Sequence, residues 1–157
     1  MARQPHKTLA DEHHVVRYCN NQRIEKDPHT GNAVGLFPDA MQLRTREKEE
    51  YLSTNWLEYV AGTRNDRLKS ILGILRGKIP SIKETSGLAV LRVEKIKDAG
   101  KETGHKITVR FTPNRNDPSY ARILGLPLDN SDTELVSLLV DEAFNEFYLV
   151  KQVDALP

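Results

Sequence analysis

Hydrophobic positions along this chain alternate between two periods, and the changes of period outline its elements. His14–Cys19 is a short β-branched and aromatic run that predicts a strand. Ala33–Phe37 predicts another, entered through the turn-forming stretch 27–32 and broken by Pro38-Asp39, after which Ala40–Leu43 resumes it. Farther on, Leu68, Ile71, Leu72 and Leu75 recur at i, i+3, i+4 and i+7, which is the stripe of an amphipathic helix over 64–76. Thr63 and Asp66 have capping-box spacing before it, Gly77 fits its C-terminal stop, and Pro80 lies beyond. A second helix is predicted over 131–149. Ser131 and Glu134 form its capping box, and Leu135, Val136, Leu138, Leu139, Val140, Ala143, Phe144 and Phe147 make a wide apolar stripe.

Between these helices, Ile107, Val109 and Phe111 alternate with Lys106, Thr108 and Arg110, the period of a half-buried strand. Pairing it with Leu88–Ile96 as a hairpin, residue 91 opposite 109, puts Ala89, Leu91 and Val93 on the same apolar face and Glu94 opposite Lys106. The stretch Tyr51–Tyr59 has two readings. In one, Asn55 caps a short helix to Ala61 with Glu58 as its partner; in the other, a single helix runs from Glu47 to Ala61. Ser119–Leu124 reads as a short strand or helix stopped by Gly125, and residues 1–10 read as loose. Strands and helices do not alternate regularly. The expected fold is therefore α+β, a single domain with a small, mostly antiparallel sheet packed by two principal helices.

Composition narrows this picture. At 157 residues with 38% hydrophobic and 29% charged positions, the chain can bury a core without disulfide or metal support. Cys19 is the single cysteine and lies in an apolar run, so it reads as a buried, inert thiol. No run approaches a membrane span, and the N-terminus has no apolar signal-like segment. The expected location is cytoplasmic.

The net charge of +1 hides an uneven distribution. Residues 1–60 carry 8 Lys/Arg and 9 Asp/Glu, residues 61–127 carry 14 and 6, and residues 128–157 carry 1 and 7. The basic middle places Arg64, Arg67, Lys69 and Arg76 on the polar side of the first helix. Lys106, Arg110, Arg115 and Arg122 lie on or near the expected hairpin, with Tyr120 interleaved. Clustered cations suit phosphate, and an aromatic ring can stack on a base. The acidic end can instead dock on a basic surface, of a partner or of the chain itself.

Candidate chemistry is sparse. Adjacent His13 and His14 on a strand point to opposite faces, and no metal-ligand spacing or nucleotide-loop motif occurs, so neither a metal nor a cofactor is expected. His14 and Arg17 sit on an early strand, Ser53, Thr54 and Asn55 stand just before a predicted helix, and Glu58 follows. A basic side chain on the first strand, a Ser/Thr-rich segment and a later glutamate are similar to the layout of ADP-ribosyltransferase-like folds. That resemblance implies a basic residue and a hydroxyl holding a nicotinamide dinucleotide. His14, Arg17, His105 and Arg110 are also the pieces a metal-independent ribonuclease would use as acid, base and phosphate clamp. A binding or assembly module is favoured over both. Its basic middle face would contact an anionic partner, protein or nucleic acid, or support self-association; a small enzyme acting on RNA or NAD is the alternative.

Overall fold

A computed structural model describes residues 6–157, and one seven-stranded antiparallel sheet organises it. The strands are β1 (Lys7–Thr8), β2 (His14–Cys19), β5 (Leu52–Trp56), β6 (Gly87–Arg92), β7 (Thr108–Phe111), β8 (Tyr120–Leu124) and β9 (Phe147–Leu149). Their spatial order is β1-β7-β8-β5-β2-β6-β9. A separate ribbon pairs β3 (Ile24–Lys26) with β4 (Ala33–Leu36). The helices are α1 (Arg64–Lys78), α2 (Val93–Glu102), α3 (Thr133–Asn145) and the short α4 (Val150–Asp154). The class is α+β, and among the described residues no helix is long and apolar enough to cross a membrane.

Strand alternation gives the sheet two different faces. Val15, Cys19, Leu52, Trp56, Ala89, Leu91, Val109, Phe111, Ala121 and Ile123 join Ile96 of α2 and Leu135, Leu139 and Ala143 of α3 in the larger core. On the other face, Val16, Leu88 and Val90 meet Leu68, Ile71, Leu72 and Leu75 of α1 and Val150 and Val153 of α4. This second face is apolar only over β2 and β6. Across β5, β8 and β7 the same face carries Ser53, Asn55, Tyr120, Arg122 and Arg110, set side by side by the pairings Ser53↔Arg122, Asn55↔Tyr120 and Arg110↔Arg122.

Several expectations hold. β2 spans His14–Cys19, α1 begins at the Thr63–Asp66 capping box, and Leu68, Ile71, Leu72 and Leu75 form its buried stripe. Residues 1–5 of the segment expected to be loose lie outside the described residues; Lys7–Thr8 forms an edge strand on β7.

The expected hairpin is not formed. β6 pairs with β2 and β9, while β7 pairs with β1 and β8. Val93 opens α2 instead of extending the strand, because Val93, Ile96, Ala99 and Gly100 make a buried helical stripe. A Cβ on Gly100 would lie 2.8 Å from the His105 carbonyl oxygen, so glycine lets the chain return closely under the helix. Asn55 is a strand residue rather than a cap. Its amide is committed to Asp117 and Ser119, and the following turn, Leu57–Tyr59, is a single 3-10 turn. The segment 40–43 forms no strand, since Pro38–Met41 closes into another 3-10 turn. The terminal helix is interrupted. Asp132, not Ser131, caps α3; Phe147–Leu149 then pairs with β6, and the chain re-enters α4.

Candidate functional site

The site begins where two neighbouring strands part. β2 pairs with β6 along its whole length, from His14↔Arg92 to Cys19↔Gly87. With β5 it pairs only at Val15↔Trp56 and Val16↔Asn55, although both strands continue. The gap frees the Ser53 carbonyl from the ladder, and the Arg17 side chain takes it. Arg17 Nη1 donates to Ser53 O at 2.9 Å, and Nε donates to Ala40 O at 3.0 Å. The residue is 7% exposed, and its guanidinium makes no ion pair among the described residues. Burial pushes its pKa down from the usual arginine value, yet a guanidinium stays protonated in proteins. Two neutral carbonyls therefore hold a buried positive charge without a counter-ion. Burial of an unpaired charge is expensive, and such groups usually carry a partner.

Arg17 is also one of the residues lining a cleft of about 330 Å³. Tyr18, Asn20 and Arg23 line it from β2 and the turn after it, Ser53 and Asn55 from β5, Arg44 and Glu49 from the connecting loop, and Leu75, Lys78 and Ile79 from the end of α1. Arg44 pairs with Glu47 at 2.9 Å and Glu49 at 3.1 Å. Lys78 Nζ donates to Asp117 Oδ2 at 2.7 Å. Arg23 makes no ion pair among the described residues, so the uncompensated charge on the wall comes from Arg17 and Arg23.

The floor is a fixed polar network. Asp117 is fully buried; its Oδ1 accepts from Asn55 Nδ2 at 2.7 Å and from Ser119 Oγ at 3.3 Å, while its Oδ2 takes Lys78. Ser53 Oγ and Tyr120 Oη are 2.6 Å apart. Lys78 Nζ sits 5.1 Å from the Tyr120 ring centroid. Arg122 lies 4.2 Å from the Tyr51 centroid and 5.6 Å from that of Tyr120. The neighbouring Tyr120 phenol and burial push the Tyr51 hydroxyl above its ordinary pKa.

Of the four residues suspected of catalysis, Arg17 and Ser53 share this wall, and His14 and His105 do not. His14 is clamped by Glu58, whose Oε1 accepts from the His14 backbone N–H at 2.7 Å and whose Oε2 lies 2.7 Å from Nδ1. Burial raises the Glu58 pKa, but these contacts outweigh it and hold the carboxyl below its usual range. His105 Nε2 lies 2.8 Å from Asp132, the cap of α3. The Leu135 backbone N–H and then His105 lower the Asp132 pKa. Arg110 Nη1 reaches Thr8 on the neighbouring edge strand. The four residues of the expected ribonuclease set are thus engaged separately, His14 with Glu58, His105 with Asp132, Arg110 with Thr8, and Arg17 with the Ala40 and Ser53 carbonyls. Burial raises the Cys19 thiol to about 11, so it stays protonated near neutral pH.

The basic residues expected to contact an anionic partner divide in two. Tyr120 and Arg122 stand beside the cleft on the polar sheet face, with Arg110 next to Arg122. On α1, Arg64 meets Glu146 at 3.3 Å, Arg76 makes a two-pronged pair with Asp154 at 2.7 and 2.8 Å, and Lys69 donates to Leu156 O at 2.7 Å. Arg67 donates to Val60 O. Lys106 and Arg115 are exposed on other segments. Sequence reasoning missed Arg23, Arg44, Lys78 and Asp117. Lys78 was hidden because Gly77 reads as a helix stop, whereas α1 runs through it. Among the described residues no group of three or more His, Cys, Asp or Glu side chains is placed to hold a metal. No protein-family model matches this chain, and no curated protein and no solved structure is significantly similar to it.

Proposed function

We propose that this protein is a small binding module whose cleft takes an oxyanion carried by its partner. The observation that carries this reading is Arg17: a buried, permanently charged residue that lines a cleft and whose guanidinium, among the described residues, has only neutral protein acceptors. Arginine's planar fork matches phosphate or carboxylate, and such charge-assisted hydrogen bonds are about twice as strong as neutral ones. An incoming oxyanion would supply the missing counter-charge, and Arg23 at the rim would add to the field. Ser53 and Asn55 offer polar groups beside it, already oriented by Tyr120 and Asp117.

Arg17 and Ser53 on one wall are also what the dinucleotide-transfer layout requires. Its glutamate, however, is engaged by His14 away from that wall, which favours binding over transfer.

Calorimetric titration with inorganic phosphate, repeated across a salt series, tests the proposal. The native protein should bind, and affinity should fall as salt rises. Arg17→Met should abolish binding and Arg23→Gln should weaken it several-fold, whereas reversal of Arg64 and Arg67 should leave it unchanged. Arg23→Gln lies at the rim and serves if Arg17→Met fails to fold. Absence of binding at low salt, or indifference to both arginine substitutions in folded protein, would overturn the reading.

A further inference from the structure

The arginine cleft has a neighbour. A second cavity of about 360 Å³ is lined by Arg44, Glu47, Lys48, Glu49, Glu50, Tyr51 and Ser53. Arg44, Glu49 and Ser53 line both cavities, so the two adjoin along that wall. Their chemistry differs. The first includes Arg17 and Arg23, which make no ion pair among the described residues, and the second adds an aromatic ring and the carboxylates of Glu47 and Glu50 beside Arg44 and Lys48. Small-molecule sites commonly occupy ~300–1,000 Å³, so each cavity is large enough to receive one part of a small ligand.

We infer that the oxyanion is the phosphate of a nucleotide, with the base lying in the second cavity against Tyr51 and the sugar crossing at Ser53. This rests on the anion-binding reading above. Tyr51 is a prepared platform: the Arg122 guanidinium is stacked 4.2 Å from its centroid, and that guanidinium is flanked in turn by Tyr120, whose hydroxyl is tied to Ser53. A ring held this way loses little freedom when a base stacks on it. Glu50, exposed and making no hydrogen bond or ion pair among the described residues, supplies an acceptor for the amino group of a base, and a carboxylate is suited to that donor; Glu49 is held by Arg44. A bare phosphate would leave the second cavity unused. The shared chemistry, a nucleoside monophosphate group, occurs both in free nucleotides and at the phosphorylated end of an RNA strand.

Calorimetry on the full chain with inorganic phosphate, ribose 5-phosphate, AMP, adenosine and a 5′-phosphorylated RNA trinucleotide separates the possibilities. AMP should bind about tenfold more tightly than ribose 5-phosphate, the gain expected of one stacked base. Tyr51→Ala should remove that gain and leave ribose 5-phosphate unchanged. Tyr51→Leu, which keeps an apolar contact beneath Arg122, makes the same test if the alanine variant does not fold. Trinucleotide binding tighter than AMP assigns the group to a strand end; equal affinity assigns it to a free nucleotide. Either result supports the inference. If AMP and ribose 5-phosphate bind alike, the base site is overturned while anion binding stands. If no phosphate compound binds, both fall.

Discussion

At the scale of single residues, two buried charges near the cleft are treated in opposite ways. Among the described residues Arg17 has no carboxylate partner, whereas Asp117 has three donors: Asn55, Ser119 and Lys78. Asp117 therefore anchors the end of α1 to the sheet and fixes the amide of Asn55, a residue only 3% exposed. Asp117→Ala should cost about 3 kcal/mol, the lower end of what is lost when one member of a buried pair is removed. The lower end applies because Lys78 can turn to water. Urea denaturation measures this directly, and a loss below about 1 kcal/mol would place Asp117 with ordinary surface pairs. The sequence concealed this network: Asp117 lies in a Pro-Asn-Arg-Asn-Asp-Pro stretch that reads as a loop, and nothing local distinguishes a turn carboxylate from a buried one. Arg17 was legible as a candidate because it is a basic side chain on the first predicted strand, but its lack of a counter-ion among the described residues is a tertiary fact.

At the scale of elements, legibility followed how local each signal was. α1 could be read because its cap and stripe lie within thirteen residues of each other, although it runs through the expected stop at Gly77 to Lys78. The strand β7 could be read from its alternation, but its partners could not, because pairing with β1 and β8 depends on segments far apart in the chain. The supposed hairpin failed for a physical reason: Ala89, Leu91 and Val93 fit a period of two, yet Val93, Ile96 and Gly100 fit a helix equally well, and the helix has a core to enter. The turn after β8 is where the closure of this sheet is most exacting. Gly125 has φ +97°, and a Cβ there would stand 2.2 Å from the Lys106 carbonyl oxygen. Gly125→Ala meets both a left-handed backbone and a backbone clash, so it should destabilise by about 2 kcal/mol or more. Because β8 carries Tyr120 and Arg122, the variant should also blunt any nucleotide affinity that survives unfolding. Chemical denaturation with a parallel titration checks both effects, and a neutral substitution would show that the loop can move aside.

At the scale of the whole molecule, the basic middle and the acidic end touch. α1 and the C-terminal segment meet through the ion pairs Arg64–Glu146 and Arg76–Asp154 and the bond from Lys69 to the Leu156 carbonyl, so part of the charge asymmetry written in the chain is neutralised within the fold. Two of the cations that the sequence placed on the polar side of α1, Arg64 and Arg76, are thus taken up by the acidic end, whereas Arg17 and Arg23 at the cleft make no ion pair among the described residues. These contacts guide the docking of the terminal segment more than they hold it. Arg76 and Asp154 are 44% and 42% exposed, and exposed pairs contribute roughly 0.2–1 kcal/mol. Beneath them Val150 and Val153 are fully buried against Leu68, Ile71, Leu72 and Leu75. Burial of apolar side chains is the larger effect, at about 0.8 kcal/mol per methylene before any cavity cost. Val153→Ala should therefore cost about 2 kcal/mol, while a double-mutant cycle on Arg76 and Asp154 should return a coupling below about 1 kcal/mol that shrinks with salt. The reverse order, a weak valine and a strong ion pair, would mean that charge rather than apolar burial fastens the acidic end, and high salt should then release it.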